Sequence, residues 1–198
     1  GSCTVGGFSR EWAATPVVGG VVRFPAQGVD LHGTRPVPVN NTSNPPRTQM
    51  RGNTFEFVLP DGAIIDRGIA TTAGGQPVNS SPVPQREKNR YGFVFPLRPG
   101  ETELQAVFHM AYRGELSVDP EALYGTEHFV VMVPKTMLFT AAPGLVFQAM
   151  ENPRQSDALV LLMSNSRAGQ PLSFTISGTG QLTNHGDDCV DAPHARGE

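Results

Sequence analysis

Residues 102–112 read TELQAVFHMAY, and this stretch decides the fold class. Its even-numbered positions, from Thr102 to Tyr112, are mostly apolar, whereas most of its odd-numbered positions are polar. A period of two residues places the two sets of side chains on opposite faces of a β-strand, while a helix needs a period near 3.6. The stretch is therefore predicted to form a strand with one face buried.

Three shorter segments repeat this alternation. Their apolar positions are Phe55, Phe57 and Leu59 in the first, Tyr91, Phe93, Phe95 and Leu97 in the second, and Phe129, Val131 and Val133 in the third. Turns that contain Pro and Gly separate the segments at intervals of roughly ten residues, which is typical of sandwiches and barrels. The same alternation predicts that Glu56, between Phe55 and Phe57, lies on the polar face of the first segment.

The glycine and proline content excludes long helices. The chain has 198 residues, of which 22 are Gly and 18 are Pro. Inside a helix Pro costs about 3 kcal/mol and Gly about 1 kcal/mol, and few stretches of more than ten residues here lack both. We predict an all-β protein, an antiparallel two-sheet β-sandwich that is Ig-like or jelly-roll-like. At most one short helix is expected, within residues 116–125, with Asp119 as its N-cap.

The domain organisation follows from where the alternation stops. The predicted parts are an N-terminal extension (1–20), the sandwich (21–180) and a flexible tail (181–198). Residues 158–165 and 172–177 are expected to pair like a hairpin, which either joins the main sheets or forms a small second lobe at 155–180. Residues 75–90 contain three Pro and are expected to be an exposed connection or a sheet edge.

Charge and hydropathy exclude two classes of partner. The formal net charge is −3 at pH 7, and the chain has no run of three Lys or Arg residues. Such a chain lacks the basic surface that nucleic acids and anionic lipids require. The longest apolar run, residues 158–163, is far shorter than the ~20 residues of a spanning helix. We expect no nucleic-acid partner and no membrane span in this chain.

Four carboxylates are candidates for acid–base catalysis on a polysaccharide: Glu103, Glu56, Asp119 and Glu127. A glycosidase needs two carboxyl groups about 5 to 9.5 Å apart. Residues two apart on a strand lie about 6.6 Å apart, so the distance is attainable. Any acidic strand face meets the same condition, and solvated surface charge is the competing interpretation.

Two histidines are candidate ligand-binding residues. His109 lies on the polar face of the 102–112 strand, and His128 begins another strand. If those strands pair, the imidazoles approach each other and could bind zinc or copper with Glu103 or Glu127. No His-x-His or Cys-x-x-Cys spacing supports such a site, so we predict no metal and no cofactor.

Trp12, Tyr124 and Arg47 complete the candidate ligand-binding residues. The two rings fall outside the apolar strand faces and could present flat surfaces to a glycan, with packing in the core or at its rim as the alternative. Arg47 lies beside Pro in a turn, where its guanidinium could bridge carbonyls at one end of the sandwich; the alternative is a solvated side chain.

Cys3 and Cys189 lie near the two ends of the chain. A disulfide between them would stabilise the folded state by about 5 kcal/mol in the chain-entropy model, because it would close a very long loop in the unfolded chain. Two free thiols are the alternative, and the sequence leaves both open.

Several ordered strings resemble a known group of proteins. They are NPPRTQ at 44–49, FEF at 55–57 with LPDGA at 59–63, YGFVFPLRPGET at 91–102 and VPKTM at 133–137. These strings resemble uncharacterised bacterial envelope proteins in which a carboxypeptidase regulatory-like, transthyretin-like domain precedes a β-rich block. The resemblance covers about residues 37–150. It implies export and β-architecture, and it carries no catalytic residues.

These observations together favour a binding protein over an enzyme. We expect a noncatalytic extracytoplasmic module, periplasmic, envelope-bound or secreted, that binds a glycan or an envelope protein. The alternative is a glycoside hydrolase-like enzyme that acts on a polysaccharide through paired carboxylates.

Overall fold

The computed structural model describes residues 19–24, 26–27, 30–49, 52–151 and 156–182. Over these residues the chain forms β-strands and no helix. The strands are β1 (Gly19–Arg23), β2 (Ala26–Gln27), β3 (Asp30–Asn41), β4 (Phe55–Val58), β5 (Ile64–Thr72), β6 (Val78–Asn79), β7 (Val83–Pro84), β8 (Arg90–Phe93), β9 (Gly100–Ala111), β10 (Glu115–Val118), β11 (Thr126–Pro134), β12 (Leu138–Ala141), β13 (Gln148–Met150), β14 (Ala158–Ser166) and β15 (Phe174–Ser177). The predicted all-β class is confirmed.

One large sheet organises the described part of the chain. Its strand order is β13-β14-β11-β1-β3-β9-β5-β6, with β2 paired beside β3. Neighbouring strands are antiparallel except β1 and β11, which are parallel. The two longest strands, β3 and β9, pair along their whole length, from Asp30 opposite Ala111 to Asn41 opposite Gly100.

Two three-stranded sheets pack on the inner face of the large sheet and complete a β-sandwich. Their orders are β10-β15-β12 and β4-β8-β7. Phe174 on β15 contacts Phe129 on β11 with ring centroids 6.4 Å apart. On the other small sheet, Phe57 lies beneath the guanidinium of Arg35 on β3, 5.8 Å from it. The core is therefore the aromatic layer between the large sheet and the two small ones.

The alternation in residues 102–112 is confirmed. Its inward side chains are at most 5% exposed, namely Thr102, Leu104, Ala106, Phe108, Met110 and Tyr112. β11 departs from the simple pattern, because Met132 is buried in addition to Val131 and Val133. Met132 packs with Ala158 and Val160 in a second, smaller cluster, so this end of the large sheet buries side chains on both faces.

The predicted helix within residues 116–125 is wrong. Asp119 Oδ1 does accept a hydrogen bond from the Glu121 N–H at 3.3 Å, as an N-cap would. However, Glu121 has a φ of 42°, and the Leu123 N–H bonds to the Glu121 carbonyl oxygen at 2.8 Å. A left-handed residue interrupts a right-handed helix, so the segment turns instead of coiling.

The predicted pairing of residues 158–165 with 172–177 is also wrong. β14 pairs with β11 and β13 in the large sheet, whereas β15 pairs with β10 and β12 in a small one. The chain crosses from one layer of the sandwich to the other between them. Phe174 packs edge-on to Phe24, with centroids 5.9 Å apart, so this segment belongs to the main core.

The edge expected at residues 75–90 is confirmed by β6 and β7, two exposed residues each at the ends of their sheets. None of the described segments forms a helix with the length and apolar character that crossing a membrane requires. The predictions on Cys3, Cys189, Trp12 and residues 183–198 lie outside the described residues.

Candidate functional site

A groove of about 370 Å³ lies on the small sheet formed by β10, β15 and β12. Its polar lining comes from Ser117, Asp119, Thr140, Ser173 and Thr175, and residues 141–143 contribute apolar lining. We call it the hydroxyl groove. Its size falls within the roughly 300 to 1,000 Å³ of small-molecule sites.

Strand register explains the row of hydroxyls in this groove. Ser117 on β10 and Thr140 on β12 both lie opposite Thr175 on the central strand β15. Ser117 Oγ and Thr175 Oγ1 are 3.1 Å apart. On β10 and β15 the adjacent residues Val118 and Phe174 point the other way and are at most 4% exposed. The alternation that builds the core thus sets hydroxyls in one line on the outer face.

Asp119 places a carboxylate at the end of this row. One of its oxygens, Oδ1, is held by the Glu121 N–H. The side chain follows β10 and is exposed. The hydroxyl groove therefore combines donor–acceptor hydroxyls with one acceptor carboxylate.

Glu56, a candidate catalytic residue, is engaged by neighbouring side chains. Its Oε2 accepts hydrogen bonds from Arg90 Nε at 2.8 Å and pairs with Arg90 Nη2 at 2.7 Å. Its Oε1 accepts one from Asn53 Nδ2 at 2.8 Å. Glu56 is only 9% exposed, so the expectation of a solvated polar face is wrong. Two guanidinium nitrogens on one carboxylate oxygen and an amide N–H on the other offset the cost of burying this charge.

The other three candidate carboxylates lie on separate elements. Glu103 is exposed on β9, opposite Pro38 and Thr71. Glu127 is exposed near the start of β11, and two strands, β1 and β3, lie between β11 and β9. Of the four candidates, only Asp119 lines the hydroxyl groove.

His109 and His128 do not lie on paired strands, because β9 and β11 are not neighbours. The condition for their approach therefore fails. His109 instead lies opposite His32 on β3, and its Nδ1 is 2.6 Å from Asp66 Oδ1. Within the described ranges, no group of three or more His, Cys, Asp or Glu side chains is placed to hold a metal ion.

Tyr124 is a core residue and not an exposed platform. It is 8% exposed, and its ring stacks on Phe55 with centroids 5.0 Å apart. Its hydroxyl oxygen accepts a hydrogen bond from the Glu56 backbone N–H at 3.0 Å. Burial raises the pKa of Tyr124 to about 12, so the phenol stays neutral over the ordinary pH range.

Arg47 lies in an exposed turn that follows the cis peptide bond between Asn44 and Pro45. Its backbone N–H donates to Ser43 Oγ at 2.9 Å. Its carbonyl oxygen accepts a hydrogen bond from Asn41 Nδ2, also at 2.9 Å. The turn is thus held by main-chain and amide contacts next to the end of β3.

Arg35 is a half-buried polar residue whose guanidinium faces the core, and the sequence reasoning missed it. Its Nη1 donates to the Val58 carbonyl oxygen at 3.2 Å, and its guanidinium lies over Phe57. Burial lowers the pKa of Arg35 to about 10, which leaves it charged at neutral pH. Its odd number on β3, shared with the buried Leu31 and Val37, is the signal that could have placed it inside.

Comparison with known proteins gives distant structural neighbours. No family model and no curated protein sequence matches the chain. An M1 zinc metallopeptidase from Deinococcus radiodurans is 14% identical with a TM-score of 0.42, over 82% of this chain and 41% of that one. A mutant of it bound to a Tyr-Ser-Ala substrate has 14% identity and a TM-score of 0.44, over 82% and 42%.

A two-domain M1 zinc metallopeptidase mutant bound to L-tryptophan is 13% identical, with a TM-score of 0.45 over 86% of this chain and 44% of that chain. The present chain therefore spans less than half the length of the peptidase chains to which it is similar.

Proposed function

We propose that this protein is a noncatalytic, extracytoplasmic β-sandwich module that binds a glycan in the hydroxyl groove. The observation that carries the proposal is the row formed by Ser117, Thr175 and Thr140 with Asp119 at its end. The resemblance of residues 37–150 to bacterial envelope proteins supports a location outside the cytoplasm.

The chemistry of the groove suits a sugar. Each sugar hydroxyl both donates and accepts hydrogen bonds, and serine and threonine hydroxyls do the same by rotation. The carboxylate of Asp119 adds an acceptor, and charge-assisted hydrogen bonds are roughly twice as strong as neutral ones. The groove lies on the ends of paired strands rather than on a long loop, so its polar atoms are held in place before a ligand arrives.

The rival interpretation, a polysaccharide hydrolase, has weaker support. Glycoside hydrolysis generally requires two carboxyl groups on either side of the scissile bond. The hydroxyl groove contains Asp119 alone, and Glu56 is already bound by Arg90 and Asn53. A single carboxylate among hydroxyls favours binding without bond cleavage.

Affinity measurements on soluble polysaccharides test the proposal. Titration calorimetry against a panel of neutral and acidic bacterial and plant glycans should identify a ligand. Thr140→Ala and Asp119→Asn should each weaken its binding by at least fivefold. Ser164→Ala is the matched control, because Ser164 is exposed on β14 in the other layer, and it should leave the affinity unchanged.

A reducing-end assay on the same mixtures separates the two functions. The module should release no reducing ends over a day. Release that persists in the purified protein and disappears in Asp119→Asn would refute the noncatalytic assignment. Equal affinity of Thr140→Ala, Asp119→Asn and the unmodified protein would refute the hydroxyl groove as the binding site.

A further inference from the structure

The outer face of the large sheet carries a second polar cluster, remote in the fold from the hydroxyl groove. His32 on β3 lies directly opposite His109 on β9, and their ring centroids are 6.4 Å apart. Asp66 on β5 lies on the other side of His109, at an irregularity in the pairing between Ile65 and Arg67. That β-bulge allows a β5 carboxylate to reach the imidazole.

The contact with Asp66 selects one tautomer of a neutral His109 imidazole. Its Oδ1 lies 2.6 Å from His109 Nδ1. A carboxylate oxygen accepts hydrogen bonds, so the proton of a neutral imidazole resides on Nδ1. The Nε2 atom then carries a lone pair. Histidines that bind metals almost always donate their other N–H to a carboxylate, a carbonyl or water in this way, which orients the ring and raises its basicity.

His32 supplies a second nitrogen on the same face. It is exposed, and its ring lies beside that of His109. Among the described residues it makes no hydrogen bond and no ion pair. Two imidazoles that share one ion at about 2.0 to 2.1 Å have ring centroids roughly 5 Å apart in tetrahedral geometry. The observed separation exceeds this by about an ångström, which rotation of the exposed His32 side chain can close.

We propose that His32 and His109, with Asp66 behind His109, form a binding site for a late first-row divalent metal ion such as Cu²⁺ or Zn²⁺. The protein supplies two nitrogen ligands, and in the described parts of the chain no further side chain completes a group of three metal ligands. The remaining coordination positions are open to water or to an external ligand. Imidazole ligands suit these ions, and Cu²⁺ should bind more tightly than Zn²⁺.

The test is titration of the folded 198-residue protein with Cu²⁺ alone, followed by calorimetry and by electron paramagnetic resonance. The background is a variant in which His185, His194, Cys3 and Cys189 are replaced by Ala or Ser, which removes the side chains of those types that lie outside the described residues. One equivalent of Cu²⁺ should bind, with nitrogen hyperfine splitting from two imidazoles. Zn²⁺ should compete for the same site.

Three substitutions and one control decide the outcome. His32→Ala and His109→Ala should each lower Cu²⁺ affinity at least tenfold and leave one coordinated nitrogen. Asp66→Asn should keep two nitrogens but lower affinity by about 10- to 100-fold, the usual effect of losing an outer-sphere carboxylate. His128→Ala, at an exposed histidine on β11, should change affinity less than twofold.

Three results would each overturn the metal site. The first is a background protein that binds no Cu²⁺ or binds it without nitrogen splitting. The second is a His32→Ala variant with unchanged affinity. The third is a His128→Ala variant that loses as much affinity as His32→Ala. Since His32 and His128 are exposed, neither change should unfold the sandwich, and far-UV circular dichroism checks this. Loss of glycan binding would leave these results unaffected, because the two sites share no residue.

Discussion

Gly33 on β3 leaves the space that the ring of Phe108 on β9 fills, and Gly33→Ala tests this contact. The two residues lie directly opposite each other in the register of β3 and β9. A Cβ atom built on Gly33 would lie 2.0 Å from Phe108 Cζ and 2.4 Å from Cε1 and Cε2. An added methyl group therefore cannot coexist with the present ring position.

The size of the effect follows from the room available to the ring. To reach the 3.4 Å of an ordinary contact, the ring tip must retreat by about 1.4 Å. Phe108 is 1% exposed and packs edge-on to Phe24, with centroids 6.4 Å apart. The cavity beside these rings has a volume of about 10 Å³, so it cannot take up the displacement. Overpacking of this kind costs about 1 to 3 kcal/mol, and we expect about 2 to 3 kcal/mol for Gly33→Ala.

The expected loss of stability in Gly33→Ala is opposite in sign to the usual effect of this substitution. Without a steric conflict, replacing a glycine inside a strand by alanine stabilises a protein by about 0.5 to 1 kcal/mol. Urea unfolding followed by far-UV circular dichroism measures the free energy of unfolding, with an unchanged m-value as the sign of a common transition. Gly125→Ala is the control, because the nearest atom to its added Cβ, the Ser166 carbonyl oxygen, is at an ordinary 3.5 Å. It should change stability by less than about 1 kcal/mol.

A double-mutant cycle isolates the contact. In a Phe108→Leu background the ring tip is gone, so Gly33→Ala should become neutral or slightly stabilising. The coupling energy between the two sites should then be about 2 kcal/mol or more. A Gly33→Ala protein at least as stable as the original, or an equal loss in both backgrounds, would refute the reasoning.

Two further predictions concern the polar contacts of Glu56, which lies on the small sheet β4-β8-β7. Glu56→Gln should lower the free energy of unfolding by about 1 to 3 kcal/mol, less than for a fully buried pair because the Arg90 side chain is 27% exposed. Lys88→Ala breaks the fully exposed pair with Asp61 and should leave stability unchanged; an equal loss in both variants would contradict this difference. Tyr124→Phe should cost about 1 to 3 kcal/mol, since it leaves the Glu56 N–H buried without an acceptor. Because burial raises the pKa of Tyr124 from 10.0 to about 12, its stabilising effect should be complete below pH 10 and be lost as the pH rises to 12. Spectrophotometric titration should show a last phenolate step that Tyr124→Phe removes, and an unchanged titration would exclude the assigned burial.

The candidate site was only partly readable from the sequence. The sequence singles out Asp119 as a candidate catalytic carboxylate and as a helix N-cap; no helix follows it, but it does line the hydroxyl groove. Glu56 was assigned to a wet face because its parity is polar, yet Arg90 comes from β8, 34 residues away, and covers it. The alternation of a strand indicates on which face a residue lies, but it does not indicate which other segments of the chain cover that face. The row of hydroxyls and the His32–His109 pair depend on the register between strands, which the alternation within a single strand does not determine.

The amino-acid sequence by itself determined the fold class and the inward face of its main strand. Glycine and proline exclude helices through backbone geometry, and alternation in residues 102–112 sorts side chains between core and solvent through burial alone. Both effects are local, so they can be read without knowing any neighbour. Only the tertiary structure decided that β14 and β15 belong to different layers, and that His109 meets His32 and not His128. Those choices depend on how distant strands share one core, where many pairings satisfy the same local pattern and packing of the whole chain selects among them.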